Sequence, residues 1–140
     1  MESATTLTEL LRRMEFKEYE KEHYMAAVDE SKLLAMAGYL NGIFCICREQ
    51  ESLSVVFTSD IKAEMEGLTS KELSGPFALI TLEVYSDLMS VGLLAKVSNA
   101  LNARGIGVNA ISAFHHDHLL VPYAKKGEAM QVLEQLSKVV

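Results

Sequence analysis

The stretch from Phe77 to Tyr123 constrains the fold of this chain more than any other part. It reads FALITLEVYSDLMSVGLLAKVSNALNARGIGVNAISAFHHDHLLVPY, in which an apolar strand enters a small-residue turn and then an amphipathic helix. Two further strands follow and meet at His116-Asp117-His118. A glycine where a strand enters its helix lets backbone N–H groups bind a small anion without any reaction taking place. The stretch therefore favours a sensor or regulatory module over an enzyme.

Size and charge narrow the class of protein further. The chain has 140 residues, of which 49% are hydrophobic and 23% charged, which is typical of one globular domain or two small fused subdomains. The net charge of −6 argues against a nucleic-acid partner, because phosphate binding needs a clustered basic surface.

The sequence also predicts a compartment. It contains no apolar run of the roughly 18–20 residues that a membrane span requires, and it begins with polar, acidic residues rather than a signal peptide. Cys45 and Cys47 are the only cysteines and are too few for a zinc site, so we expect both to be reduced. We therefore expect a cytoplasmic protein without a membrane partner.

The two halves of the chain predict the same order of elements, strand–helix–strand–strand–helix, with a boundary at Gly75-Pro76. We therefore expect an N-terminal subdomain at 1–75 and a C-terminal one at 76–140. The strand that starts at Phe77 can also close the first half. The second half lacks a strand after its final helix, so it must borrow one from the other half or from another chain.

Four helices are predicted around these strands, besides the one after Gly92. Thr8 is expected to cap a helix that runs to Met14, and Ser31 a short helical turn. Ser59 or Asp60 is expected to cap a third helix, and the last runs from Glu128 to Val139. The short turn that Ser31 starts contains the apolar residues Leu33, Leu34, Met36 and Leu40.

The turn that ends at Gly92 is the first candidate site. Unpaired N–H groups and the positive dipole end of a helix attract a carboxylate, and Gly92 has no Cβ to keep a ligand away. Asp87 and Ser90 can hold an ammonium group or donate a hydroxyl bond. The alternative is purely structural, with Ser90 capping the helix and Gly92 allowing close packing.

The sequence Phe114-His115-His116-Asp117-His118 is the second candidate site. Three histidines and an aspartate suggest a metal, but no second cluster of ligands completes a coordination shell. A polar hairpin tip is the favoured interpretation, with a ligand contact as the alternative. The chain contains neither a nucleophile elbow nor a phosphate-binding or dinucleotide-binding loop, so we expect no catalytic residue, no metal and no cofactor.

The motif Val91-Gly92-Leu93-Leu94-Ala95, followed by Gly105-Ile106 and Asn109, resembles the ACT domain. Together with Leu79-Ile80-Thr81-Leu82 and His116-Asp117-His118, it is similar to small bacterial tandem ACT-like proteins related to eukaryotic cytosolic arginine sensors. The resemblance implies an α+β fold of tandem ferredoxin-like βαββα units, in which an antiparallel sheet carries its helices on one face.

The resemblance also implies a set of ligand-binding residues. By position they are the effector loop Ser90, Val91, Gly92 and Leu93, then Asn109, and then Phe114, His116 and Asp117 near the end of the next strand. We expect a free-standing sensor, not an enzyme, that binds an amino acid at this loop and at an interface, as a homodimer or with a partner protein. The alternatives are a protein-interaction module with a vestigial site and a metal-dependent enzyme that uses the histidines.

Overall fold

The structure is a computed structural model that describes residues 7–83 and 92–139. Their helices are α1 (Leu7–Arg13), α2 (Leu33–Met36), α3 (Lys62–Glu66), α4 (Leu93–Asn102) and α5 (Lys126–Val139). Their strands are β1 (Phe16–Glu18), β2 (His23–Val28), β3 (Ile43–Arg48), β4 (Leu53–Thr58), β5 (Ser74–Leu82), β6 (Asn109–Ser112) and β7 (Asp117–Pro122). Short 3₁₀ turns lie at Glu30–Lys32, Ala37–Gly42, Ser59–Ile61 and Tyr123–Lys125. No helix in these two ranges is long and apolar enough to span a membrane.

The chain divides into two compact units. The middle unit is Lys21–Phe77, and the terminal unit combines the chain up to Glu20 with the chain from Ala78 onwards. The middle unit ends at Phe77, and the boundary predicted from the sequence is Gly75-Pro76. The predicted subdomain 1–75 differs from the middle unit at its start, because α1 and β1 belong to the terminal unit.

The middle unit is an antiparallel sheet with its strands in the order β3-β4-β2-β5. Strand β4 pairs with β2 from His23↔Thr58 to Val28↔Leu53, and the first residues of β5 close the unit by pairing with β2. The helical segments cover the sheet face that carries the core. That core consists of Tyr24, Ala26, Val28, Met36, Leu53, Val55, Phe57 and Met65.

The terminal unit has the same plan with a borrowed strand. Its strands lie in the order β5-β7-β6, and β1 pairs antiparallel with β5, from Phe16↔Leu82 to Glu18↔Ile80. The expectation that the second half borrows its closing strand is therefore confirmed. The core comprises Leu11, Met14, Ala78, Ile80, Leu82, Leu93, Val97, Leu101, Ile106, Leu119, Val121, Ala129, Val132 and Leu133.

The placement of α1 follows from its apolar stripe. Leu11 lies in α1, and Met14 follows the end of the helix, where its N–H donates to the Leu11 carbonyl at 3.3 Å; both side chains are buried in the core of the terminal unit. β1 then fills the edge of β5 that no later strand covers. Each unit is thus a ferredoxin-like α+β unit with an antiparallel sheet and helices on one face, as expected.

Four local predictions were wrong. Thr8 does not cap the first helix, because α1 is already helical at Leu7 and Thr8 lies within it. The carboxylate of Asp29, rather than Ser31, is the cap of the first 3₁₀ turn, and it accepts the Ser31 N–H at 3.0 Å because an aspartate can bond two residues on. The turn at Ser59 begins after Thr58 without a side-chain cap. Strand β5 starts at Ser74 and runs through a cis Gly75-Pro76 bond. Proline has no N–H to donate to a neighbouring strand. Pro76 is tolerated in β5 because the pairing of β5 with β2 shifts register between Ser74 and Phe77, so no hydrogen bond from residue 76 is needed there.

The apolar residues of the α2 region are mostly exposed. Leu34 is 86% exposed, Leu40 57% and Leu33 41%, whereas Met36 is fully buried in the core of the middle unit. Only one side of such a short helical segment can face the sheet, so the remaining leucines project away from the core.

We predict that Leu11→Ala lowers the free energy of unfolding by about 2–5 kcal/mol, because a buried leucine loses its contacts and leaves a cavity. Leu34→Ala is the matched control, and we expect a change within about 0.5 kcal/mol because its side chain is 86% exposed. Urea unfolding measures both variants. Equal effects would contradict the assignment of α1 to the core of the terminal unit.

Candidate functional site

The amino end of α4 begins at Gly92, whose backbone is left-handed with φ +97° and ψ −13°. The first bond of the helix runs from the Lys96 N–H to the Gly92 carbonyl at 2.9 Å. The N–H groups of Leu93, Leu94 and Ala95 therefore precede the helical ladder, where no carbonyl of the helix can accept them. These groups and the helix dipole make the amino end of α4 suited to an anion.

The conformation of Gly92 explains why a glycine stands there. Side chains rarely adopt its positive φ, so any other residue would strain the backbone. A Cβ at this position would lie 3.4 Å from Cδ2 of Leu7, which is ordinary contact distance. The requirement for glycine is therefore set by the backbone more than by the available space.

The equivalent turn of the middle unit is built differently. There β2 leads directly to Asp29, whose carboxylate accepts an N–H of the following turn. The Asp29 carboxylate thus caps this turn of the middle unit. In the terminal unit the corresponding residue is Gly92, which has no side chain with which to do so.

The histidine-rich sequence forms the tip of the β6–β7 hairpin. Ser112 pairs with Asp117, and the Ala113 N–H donates to the His116 carbonyl at 3.0 Å. Phe114 is 77% exposed, and its ring stands edge-on to that of His115. The favoured interpretation as a hairpin tip is therefore confirmed, with His116 in the turn and Asp117 at the start of β7.

A buried polar pair lies beside this tip. Thr81 is 2% exposed, and its hydroxyl is hydrogen-bonded to Nδ1 of His118 at 2.8 Å. Burial lowers the pKa of His118 and the neighbouring His116 lowers it further, whereas Asp117 raises it. His118 therefore favours its neutral form. Nδ1 of His116 is also buried, and it has no hydrogen-bond partner in the described ranges.

Connectivity places the amino end of α4 and the hairpin tip at the same end of the terminal unit. Six residues, 103–108, join the carboxyl end of α4 to Asn109, where β6 begins its course toward the tip. Asn109 pairs with Leu120, about 10 Å along the strand from Asp117. Asn109 therefore lies toward the opposite end of α4 from Gly92 and Leu93.

The predicted site residues do not all lie together. The structure brings His116 and Asp117 to one tip with Phe114, and it places Asn109 away from them. Ser90 and Val91, together with Asp87, lie outside the described residues. Sequence reasoning missed Thr81, although a lone hydroxyl within the apolar run ALITL was the available signal.

Other parts of the described chain carry no comparable site. Residues 7–83 and 92–139 contain no group of three or more His, Cys, Asp or Glu side chains placed to hold a metal ion. The middle unit has an open groove of about 560 Å³ lined by Tyr24, Lys62 and the segment Thr69–Leu73, and another of about 450 Å³ beside Asp29. None of the predicted site residues lines either groove.

Comparison with known proteins fits this geometry. Residues 76–135, which include β7, α4 and the hairpin tip, match the model of the ACT domain. The chain contains an ACT domain. It also belongs to the same family as a Vibrio cholerae protein of unknown function, described as a possible transport protein, with 32% identity over 94% of this chain and 96% of that one at a TM-score of 0.76.

More distant structures share the fold. The ligand-free regulatory subunit of aspartate kinase from Thermus thermophilus is 12% identical, with a TM-score of 0.66 over 86% of this chain and 95% of that one. An Agrobacterium tumefaciens protein is 21% identical, with a TM-score of 0.67 over 89% and 90% of the two chains. No curated protein sequence matches this chain.

We predict that stability falls as the pH drops through and below the ordinary histidine pKa of about 6.5. The folded-state pKa of His118 is lowered, so the unfolded chain takes up a proton there more readily than the folded protein does. Chemical unfolding at about pH 8 and about pH 5.5 measures the effect. His23, whose pKa burial also lowers, contributes in the same direction.

The variant His118→Asn isolates this contribution, because an amide reproduces the position of Nδ1 beside Thr81 but does not titrate. We expect a smaller loss of stability between the two pH values than in the unchanged protein. The exposed His115 supplies the control variant His115→Asn, for which we expect the original pH dependence. Identical pH dependence in all three proteins would contradict the role given to His118.

Proposed function

We propose that this chain is a free-standing regulatory module that binds an amino acid or a similar small effector at the amino end of α4. ACT domains are regulatory modules that bind small molecules, often amino acids. The observation that carries the proposal is that α4, within the matched residues, starts at a left-handed glycine that cannot cap the helix itself. The N–H groups that follow are suited to the effector's carboxylate.

The second half of the proposed site is the hairpin tip. Asp117 supplies a carboxylate for the ammonium group of the effector, and the half-buried His116 beside it is proposed to make a further polar contact. The exposed ring of Phe114 offers an apolar surface. Ser90 and Val91 complete the loop by their resemblance to the ACT pattern. Asn109 stays a predicted ligand-binding residue, and its distance from the hairpin tip argues against a contact with the same effector.

The proposed effector class follows from these charges. A carboxylate-binding helix end and an acidic side chain at the same end of the unit suit a zwitterion. The small bacterial tandem ACT-like proteins that the sequence resembles are related to cytosolic arginine sensors, so arginine is the first amino acid to test. The role we assign is regulatory, with no catalytic residue and no cofactor.

Binding is proposed to act through a change in association or in the arrangement of the protein. A ligand shifts an equilibrium only by its differential affinity for the two states, so part of the site must change between them. A homodimer or a partner protein would provide such states. We also propose a cytoplasmic location, in keeping with the two free cysteines, since burial raises the pKa of the Cys45 thiol and keeps it protonated.

A thermal-shift screen of the twenty amino acids tests the proposal. An effector at a hundred times its dissociation constant stabilises the folded protein by about 2.7 kcal/mol, which raises the melting temperature by several degrees. We expect Asp117→Asn to weaken binding by about tenfold or more, because a charged hydrogen bond contributes about 1.5–3 kcal/mol.

The control for this variant is Asp60→Asn in the middle unit, where the carboxylate forms an ion pair with Lys21 and lies outside the proposed site. We expect it to keep the affinity of the unchanged protein. No stabilisation by any amino acid would overturn the proposed function. Equal loss of affinity in both variants would place the site elsewhere.

A second candidate function is that of a protein-interaction module. The supporting observation is the group of exposed leucines around α2, of which Leu34 is 86% exposed. If these side chains contact a second copy, Leu34→Glu shifts the protein toward the monomer in sedimentation equilibrium. A monomer at all concentrations in the unchanged protein would remove self-association as their role.

A further inference from the structure

We propose that residues 7–20 form a strap whose docking is coupled to effector binding, with Lys126 as the positioning residue that holds it in place. The strap comprises α1, β1 and the two residues after β1. This inference rests on the proposed function, because it concerns the regulation of the same site. It is carried by contacts of the strap with both strand β5 and the amino end of α4.

The first contact is made by α1. Leu7 lies at the start of α1, and its Cδ2 atom is 3.4 Å from the position that a Cβ of Gly92 would occupy. Leu11 in α1 and Met14 just after it are buried in the core that also contains Leu93. Helix α1 therefore packs beside the amino end of α4, where the effector carboxylate is proposed to bind.

The second contact is made by β1 and its flanks. Lys17 pairs with Thr81, the residue whose hydroxyl is bonded to His118. The Glu83 N–H donates to the carbonyl of Glu15 at 2.7 Å, just after β5 ends. The strap thus borders the end of β5 that leads into the effector loop.

Polar contacts hold the far end of the strap. Nζ of Lys126 donates to the carbonyl of Tyr19 at 3.0 Å, lies 3.6 Å from the carboxylate of Glu18, and sits 5.4 Å from the ring centre of Tyr123. The Lys126 side chain is only 17% exposed. The Tyr123 hydroxyl donates to the carbonyl of Glu20 at 2.8 Å. Helix α5 and the turn before it therefore clamp the strap where it leaves β1.

The docking of the strap depends on these contacts. Its strand has three residues, too few to be stable without the neighbouring packing and the clamp. If the effector binds tightly only when the strap is docked, the apparent dissociation constant rises as the docked fraction falls. Loosening the clamp should then weaken effector binding, although Lys126 lies outside the effector site.

The test compares Lys126→Met with Lys138→Met in the full chain. Lys138 lies on the same helix with an exposed side chain, so it is a matched control. Hydrogen exchange of peptides within residues 7–20 is followed by mass spectrometry, with and without an equimolar mixture of the twenty amino acids. Binding of the mixture is measured by its effect on the melting temperature.

We expect the mixture to slow exchange in residues 7–20 of the unchanged protein. We expect Lys126→Met to speed exchange there in the absence of amino acids and to weaken apparent binding several-fold, with Lys138→Met unchanged in both. Tyr123→Phe keeps the ring but removes the bond to Glu20, and we expect a smaller effect in the same direction.

The possible results distinguish a failure of the strap coupling from a failure of the proposed function. If the mixture stabilises the protein but leaves exchange in residues 7–20 unchanged, the coupling is overturned and the effector site stands. Faster exchange in Lys126→Met without weaker binding also overturns the coupling, because it shows a merely structural role. If the mixture does not stabilise the unchanged protein, the proposed function and the coupling both fall.

Discussion

The double use of strand β5 is the constraint on which the rest of the structure depends. Its first residues pair with β2 and close the middle unit, while its last residues pair with β1 in the terminal unit. A strand that ends one unit and begins the next leaves the second unit without a closing strand. Strand β1 fills the missing position by pairing with β5, and this pairing brings α1 beside α4. The packing of Leu7 near Gly92 follows from that solution.

Much of this organisation could be predicted from the sequence, because the signals are local. Helix α4 has buried residues at the spacing of one helix face, and Gly105 lies with a positive φ in the turn that follows Asn102, close to where the sequence pattern predicts the helix to stop. The missing strand after α5 could be counted from the order of elements. Which segment fills the gap could not, since Phe16–Glu18 has only three residues and no distinctive pattern.

The candidate site could likewise be predicted only where the signal is local in the sequence. Gly92 and Asp117 are predicted as site residues from a motif and its spacing, whereas Thr81 acquires its partner His118 only when β5 and β7 become neighbours. Nothing in the sequence distinguishes Lys126 from the other lysines, whereas the fold brings its ammonium group to the carbonyl of Tyr19. Such contacts join residues far apart in the chain, and their energies depend on burial that no local pattern encodes.

The most direct test of the central claim is to map amide chemical-shift changes by NMR while the mixture of twenty amino acids is added to the protein. We expect changes concentrated in the terminal unit, at the amides of Leu93–Ala95 and around Asp117. Changes confined to the groove residues of the middle unit, such as Lys62 and Thr69–Leu73, would contradict the central claim, as would a spectrum that does not change.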